Sequence, residues 1–156
     1  MEIEALRRYC LQFPHTTENV QWGADLCFKV DGKLFAVTPL EPAPVRLSFK
    51  CNPETFAELC ERPGVRPAAY LARAHWVSLE QLNTLPDSEL RELIAESYRL
   101  VWEKLSRKRQ TELQGNKAAI AADKQAQPSR LTSKTKPNNL TSKTVKGRQS
   151  KAGKRR

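Results

Sequence analysis

Every aromatic side chain in this 156-residue chain lies at or before Trp102. There are eleven: Phe13, Phe28, Phe35, Phe49, Phe56, Trp22, Trp76, Trp102, Tyr9, Tyr70 and Tyr98. Large rings supply most of the area a small core buries. A core can therefore be built only from the first two-thirds of the chain. All four cysteines also fall there. Charge divides at the same place. Residues 1–106 carry 12 basic and 15 acidic side chains, a net of −3. Residues 107–156 carry 15 basic and 2 acidic, a net of +13. The overall charge of +10 thus describes neither part. We expect an α+β domain over 1–106, long enough to fold without disulfide or metal. We expect a basic, low-complexity, largely disordered tail over 107–156, because that composition buries too little apolar surface to offset chain ordering.

Several classes are disfavoured at once. No apolar run approaches the ~18 residues a membrane helix needs. The opening MEIEALRRYC has acids where an export signal has basic residues, so a cytoplasmic location is expected. Cys10, Cys27, Cys51 and Cys60 show no Cys-x-x-Cys spacing, and His15 and His75 are the only histidines. A zinc site would need distant ligands to converge. Reduced thiols packed as small hydrophobes are expected instead, with no metal and no cofactor.

Local patterns place the elements. Ile3, Leu6 and Cys10, extended by Phe13, make the apolar stripe of a helix over 2–12, which Pro14 stops. A loop is expected through Gly23. Leu26–Val30 and Lys33–Val37 flank Asp31-Gly32, the pair a type I′ hairpin turn demands, since both central residues need positive φ. Residues 39–44 read as a proline-rich loop. Residues 45–50 alternate, with Val45, Leu47 and Phe49 on one face and Arg46, Ser48 and Lys50 on the other. Asn52-Pro53 opens a second helix with the stripe Phe56, Leu59 and Cys60, closed by Pro63-Gly64. Residues 67–79 read as interrupted β, with Ala69–Leu71 and His75–Leu79 as its pieces. From Pro86-Asp87 to Leu105, apolar residues recur every 3.6 positions in the longest helix. Beyond Arg107 the period fades. Alanine-rich 117–126 has transient helical character, interrupted at Gly115-Asn116. Leu-Thr-Ser-Lys-Thr occurs at 131–135 and again at 140–144. Together these predict a compact two-layer domain, an antiparallel sheet with helices on one face.

The motif series resembles the MmcQ/YjbR family. The residues are Trp22-Gly23, Phe28-Lys29-Val30, Gly32–Ala36, Leu47–Cys51, Pro63–Leu71, His75–Leu79 and Leu93–Val101. The likeness covers 1–106 and leaves the tail outside it. It implies a bacterial protein of CyaY/frataxin-like and secretion-chaperone-like shape. It also implies DNA binding through a double wing of β-hairpins. Frataxin-like iron binding would need clustered carboxylates. The first helix offers only Glu2 and Glu4 beside Arg7-Arg8, which disfavours it.

No phosphate loop, dinucleotide fingerprint, nucleophile elbow or His-Glu-x-x-His motif is present, so no catalytic residue is expected. His75 lacks a partner at a recognisable spacing. The leading expectation is a non-enzymatic DNA-binding protein. Its tail would give sequence-independent phosphate contacts that DNA and RNA both satisfy. The domain candidates are Lys29, Lys33, Arg46 and Lys50, with Arg73 and His75 weaker. The tail candidates are Arg107, Lys108, Arg109, Lys134, Lys136, Lys143, Lys146, Arg148, Lys151, Lys154, Arg155 and Arg156. Trp22 and Trp76 are expected in the core, with stacking on bases the alternative. The other class of function is a chaperone-like module holding a protein partner on its sheet. A contiguous apolar patch on the sheet would favour that class; convergence of the four domain cations would favour nucleic acid. A monomer is expected, with no membrane contact.

Overall fold

The computed structural model describes residues 1–125, with side chains to residue 116. Helix α1 (Ile3–Leu11) leads into six strands: β1 (Thr16–Gln21), β2 (Asp25–Val30), β3 (Lys33–Pro39), β4 (Leu47–Lys50), β5 (Val65–Pro67) and β6 (Trp76–Leu79). Helix α2 (Pro53–Cys60) lies between β4 and β5. Helices α3 (Asp87–Glu103) and α4 (Arg107–Gln125) follow β6. The strands form one antiparallel sheet in the order β1-β2-β3-β4-β6-β5. This is the expected α+β architecture.

The hairpin forms as its turn residues dictate. Asp31 has φ +48° and Gly32 φ +73°. Asn52 caps α2, its side chain accepting from the Thr55 N–H at 2.8 Å, with Pro53 in the first turn. The stripes of α1, α2 and α3 bury one sheet face. Leu6, Cys10, Leu59, Leu90, Ile94 and Val101 pack there against Phe28, Phe35, Phe49 and Val77.

A β-bulge at Phe28/Lys29 pairs Phe28 with Ala36 and Lys29 with Leu34, leaving Phe35 without a cross-strand partner. Phe35 is fully buried on the helix side. The irregularity leaves main-chain groups of β3 and β4 to be satisfied by other means. Ser97 on α3 does so. Its hydroxyl donates to the Phe35 carbonyl at 2.6 Å and accepts from the Lys50 N–H at 2.9 Å.

Four expectations are corrected. The loop after Pro14 contains β1, which pairs along its whole length with β2. Its single large apolar residue, Val20, is half exposed, so an edge strand left no alternation to read. Ala69–Leu71 is a turn rather than a strand, and the strand before it is β5. His75 precedes β6 and sits in the left-handed region at φ +59°. Helix α4 passes through Gly115-Asn116 unbroken. Both Leu-Thr-Ser-Lys-Thr copies lie outside the described residues. Among those described, no helix is long and apolar enough to cross a membrane.

Candidate functional site: the open face of the sheet

The face away from the helices is not a solvated polar surface. Cys27, Val37, Ala68 and Trp76, with Leu34 against them, form a second apolar cluster. The turn after β5 folds back over it. With Val77 and Leu79 packed on the helix side, every residue of β6 is buried. Beside this cluster lies an apolar groove of about 580 Å³. Its floor includes Val37 and Ala68, with Ser48 and Ser78 joined across β4 and β6 by a 2.7 Å hydroxyl contact. Pro44, Pro67 and Leu71 add apolar wall.

Two aromatic residues border the groove. Trp22 is 71% exposed and Tyr70 is fully exposed. Both hold left-handed backbone, φ +50° and +64°. For bulky residues that conformation costs roughly 1–3 kcal/mol, and such strain concentrates at binding sites. The fold thus holds strained backbone at two large aromatic residues whose side chains stand in water. Arg66 on β5 is ion-paired with Glu80, the residue that follows β6. Asp25 also lines the groove, and among the described residues no ion pair reaches it.

The four domain cations do not converge here. Lys29 is half-buried and donates to the Gln21 side chain at 2.9 Å. Lys33 is exposed at the hairpin tip. Arg46 lies at the opposite end of the sheet and donates to the Glu41 carbonyl at 3.0 Å. Lys50 is only 8% exposed, and its ammonium donates to the Ala74 carbonyl. Burial, with the Lys104 ammonium beside it, pushes Lys50 below the usual lysine range. The expected polar face of β4 is thus covered at its Lys50 end, where the 68–75 segment returns over it, while Ser48 faces the groove. Arg73 is exposed, whereas His75 is partly buried, edge-on to Phe56 at 5.5 Å. Trp76 is core, and Trp22 is not.

A basic pole does form at the hairpin end. Lys33, Lys104, Arg107 and Lys108 are exposed around the tip and the α3–α4 junction. Lys104 escaped notice in the sequence because it reads as the last polar residue of a long helix. Arg109 is committed elsewhere: its guanidinium grips the Asp31 carboxylate, Nε at 2.9 Å and Nη2 at 2.7 Å. The tip of the supposed wing is therefore already held by the chain itself. The remaining tail candidates, from Lys134 to Arg156, lie outside the described residues.

That grip has a titration signature. The hydrogen bonds from Arg109, then its charge and that of Lys33, hold the Asp31 carboxyl below the ordinary aspartate value. A depressed folded value means the contact is complete above the unfolded pKa of ~3.9 and is lost as pH falls through the lower folded one. In Arg109→Gln, Asp31 should titrate back near the ordinary value. Carboxyl-carbon NMR across the acid range measures this; an unmoved Asp31 would refute the clasp.

Burial pushes the Cys10 and Cys51 thiols up to about 12, so neither is a thiolate at neutral pH. Cys10, Cys27 and Cys51 are buried, Cys60 is partly so, and all are unpaired. Among the described residues no three His, Cys, Asp or Glu side chains gather to hold a metal ion.

The fold and motif series define a small α+β protein with three helices on one sheet face and an aromatic-edged groove on the other. The YjbR family model matches residues 11–100, and the chain belongs to that family. It is 37% identical over 103 residues to the uncharacterized protein YjbR of Escherichia coli K12, covering 63% of this chain and 85% of that one. A Deinococcus radiodurans crystal structure of the DUF419 domain superposes with TM-score 0.65 at 33% identity, covering 71% of this chain and 86% of the other. A Pseudomonas syringae crystal structure shares the fold at TM-score 0.53 and 23% identity, covering 65% and 99%.

Proposed function

We propose that this YjbR-family protein is a non-enzymatic, cytoplasmic recognition module that binds a partner polypeptide on the open face of its sheet. One observation carries this: the groove is apolar and aromatic-edged, while the four domain cations are scattered, half-buried or spent. Interfaces draw most of their energy from a few Trp, Tyr and Arg anchors seated in apolar surroundings. Trp22 and Tyr70 have that character. The test selects a random peptide library against the chain ending at Gln125, which keeps every core residue. Selected peptides should lose at least about tenfold in affinity, near 1.4 kcal/mol, on Tyr70→Ser. Failure to select any peptide, or equal binding to wild type and variant, would sink this reading.

A second reading is carried by charge. Beyond the basic pole and α4, residues 126–156 carry 10 basic side chains and no acid. Such a segment would neutralise DNA phosphates and release counterions, with affinity falling steeply in salt. Anisotropy titration of duplex DNA should show the full chain binding at low salt and the chain ending at Gln125 losing most of the affinity and of the salt slope. Tyr70→Ser should change neither. If removing 126–156 leaves both unchanged, the tail does not carry the binding.

A further inference from the structure

The repeated pentapeptide belongs to a longer pattern. Each copy is preceded by a proline, giving Pro128-Ser-Arg-Leu131-Thr-Ser-Lys134-Thr and Pro137-Asn-Asn-Leu140-Thr-Ser-Lys143-Thr. Proline, leucine and lysine are each three residues apart, and the copies are nine apart. All six therefore fall in one register of period three. In a helix or strand these residues would scatter around the chain. In polyproline II, with three residues per turn, they line up along a single edge. The edge reads Pro-Leu-Lys-Pro-Leu-Lys.

Polyproline II segments are recognised by shallow grooves lined with aromatic side chains. The open face of the sheet offers one, edged by Trp22 and Tyr70 and walled by Pro44 and Pro67. Its one carboxylate, Asp25, has no ion-pair partner among the described residues, and Arg66 is neutralised by Glu80. The groove thus offers apolar surface for proline and leucine and one unspent negative charge for lysine. We propose that the Pro-x-x-Leu-x-x-Lys repeats of residues 128–134 and 137–143 are ligands of this groove in the same molecule. This rests on the reading of the groove as a peptide site and names its occupant.

Reach is sufficient. Leu140 lies fifteen residues beyond the end of α4, about 50 Å of extended chain. A domain of this size is only about 35 Å across. Tethering gives an effective concentration of roughly 1 mM, so a repeat with an intrinsic Kd of about 100 µM keeps about nine molecules in ten closed. Leu131, six residues beyond α4, spans only about 20 Å, so the second copy is the one with reach across the domain. Extended aromatic grooves hold single ligands at such modest affinity, so tethering rather than contact quality accounts for occupancy.

The experiment compares amide and indole NMR signals in three proteins: the full chain, the Leu131→Ser/Leu140→Ser variant, and the chain ending at Gln125. The last two should match each other. They should differ from the full chain at the Trp22 indole, Val37, Ala68, Tyr70 and Leu71. A synthetic peptide of residues 128–143, added to the shortened chain, should return those signals toward full-chain positions with a Kd near 100 µM. Tyr70→Ser should abolish that return. Three results would overturn the proposal: groove signals indifferent to the tail, shifts confined to the acidic α2–α3 surface around Glu58 and Glu92, or equal binding by a peptide of the same composition in shuffled order. If the tail peptide fails while library peptides bind through Tyr70, the groove remains a peptide site and only its occupant is wrong. If both fail, the functional reading falls with it.

Discussion

Phe35→Ala should cost about 3–5 kcal/mol of folding stability, the usual range for deleting a buried phenylalanine. Phe35 is fully buried where the bulged hairpin meets α3. Tyr98 and Phe13 approach it edge-on, with ring centroids at 5.6 and 6.0 Å, and Phe28 lies at 6.4 Å. Tyr98 is also stacked on Phe13 at 4.7 Å and anchored to the Pro14 carbonyl at 2.9 Å. These neighbours come from the turn after α1, from β2 and from α3, so no one element can relax to fill the hole. The cost is a large share of the ~5–15 kcal/mol that holds a domain together. Denaturant unfolding should show a lower midpoint at unchanged slope. A loss below about 1.5 kcal/mol would mean this centre is not close-packed.

Ser97→Ala should cost about 2–4 kcal/mol although it removes one oxygen. The serine is fully buried and serves two main-chain groups. Alanine leaves the Lys50 N–H and the Phe35 carbonyl without partners in a dry interior, at roughly 1–3 kcal/mol each. Ser48→Ala provides the contrast. Ser48 is only half-buried and meets only another hydroxyl, that of Ser78. Its loss should stay within about 1 kcal/mol. Equal midpoints for the two variants would show that the bridge across the bulge contributes nothing special.

Both predictions turn on the same irregularity, and neither Phe35 nor Ser97 stands out in the sequence. Phe35 looks like one member of an alternating strand, and Ser97 like a polar interruption in a helical stripe. The bulge sets Phe35 against α3, where the Ser97 hydroxyl meets its carbonyl. The groove was hidden for a related reason. Ala69–Leu71 reads as a piece of strand in the sequence, but positive φ at Tyr70 and His75 turns the chain back over the sheet. That return covers Lys50, which the alternation of 45–50 had placed in water. The scattered cations were legible as residues and illegible as a surface.

What the sequence determined by itself is whatever short-range physics decides. An Asp-Gly pair accepts positive φ and makes the hairpin. A 3.6-residue apolar period makes α3. The absence of rings after Trp102 confines the core, and the motif series marks the family. The tertiary structure alone decided which faces are covered. It hid Lys50, exposed Trp22, spent Arg109 on Asp31 and made β1 an edge strand. Each of these depends on contacts between residues far apart in the chain, and period and propensity carry no information about such contacts.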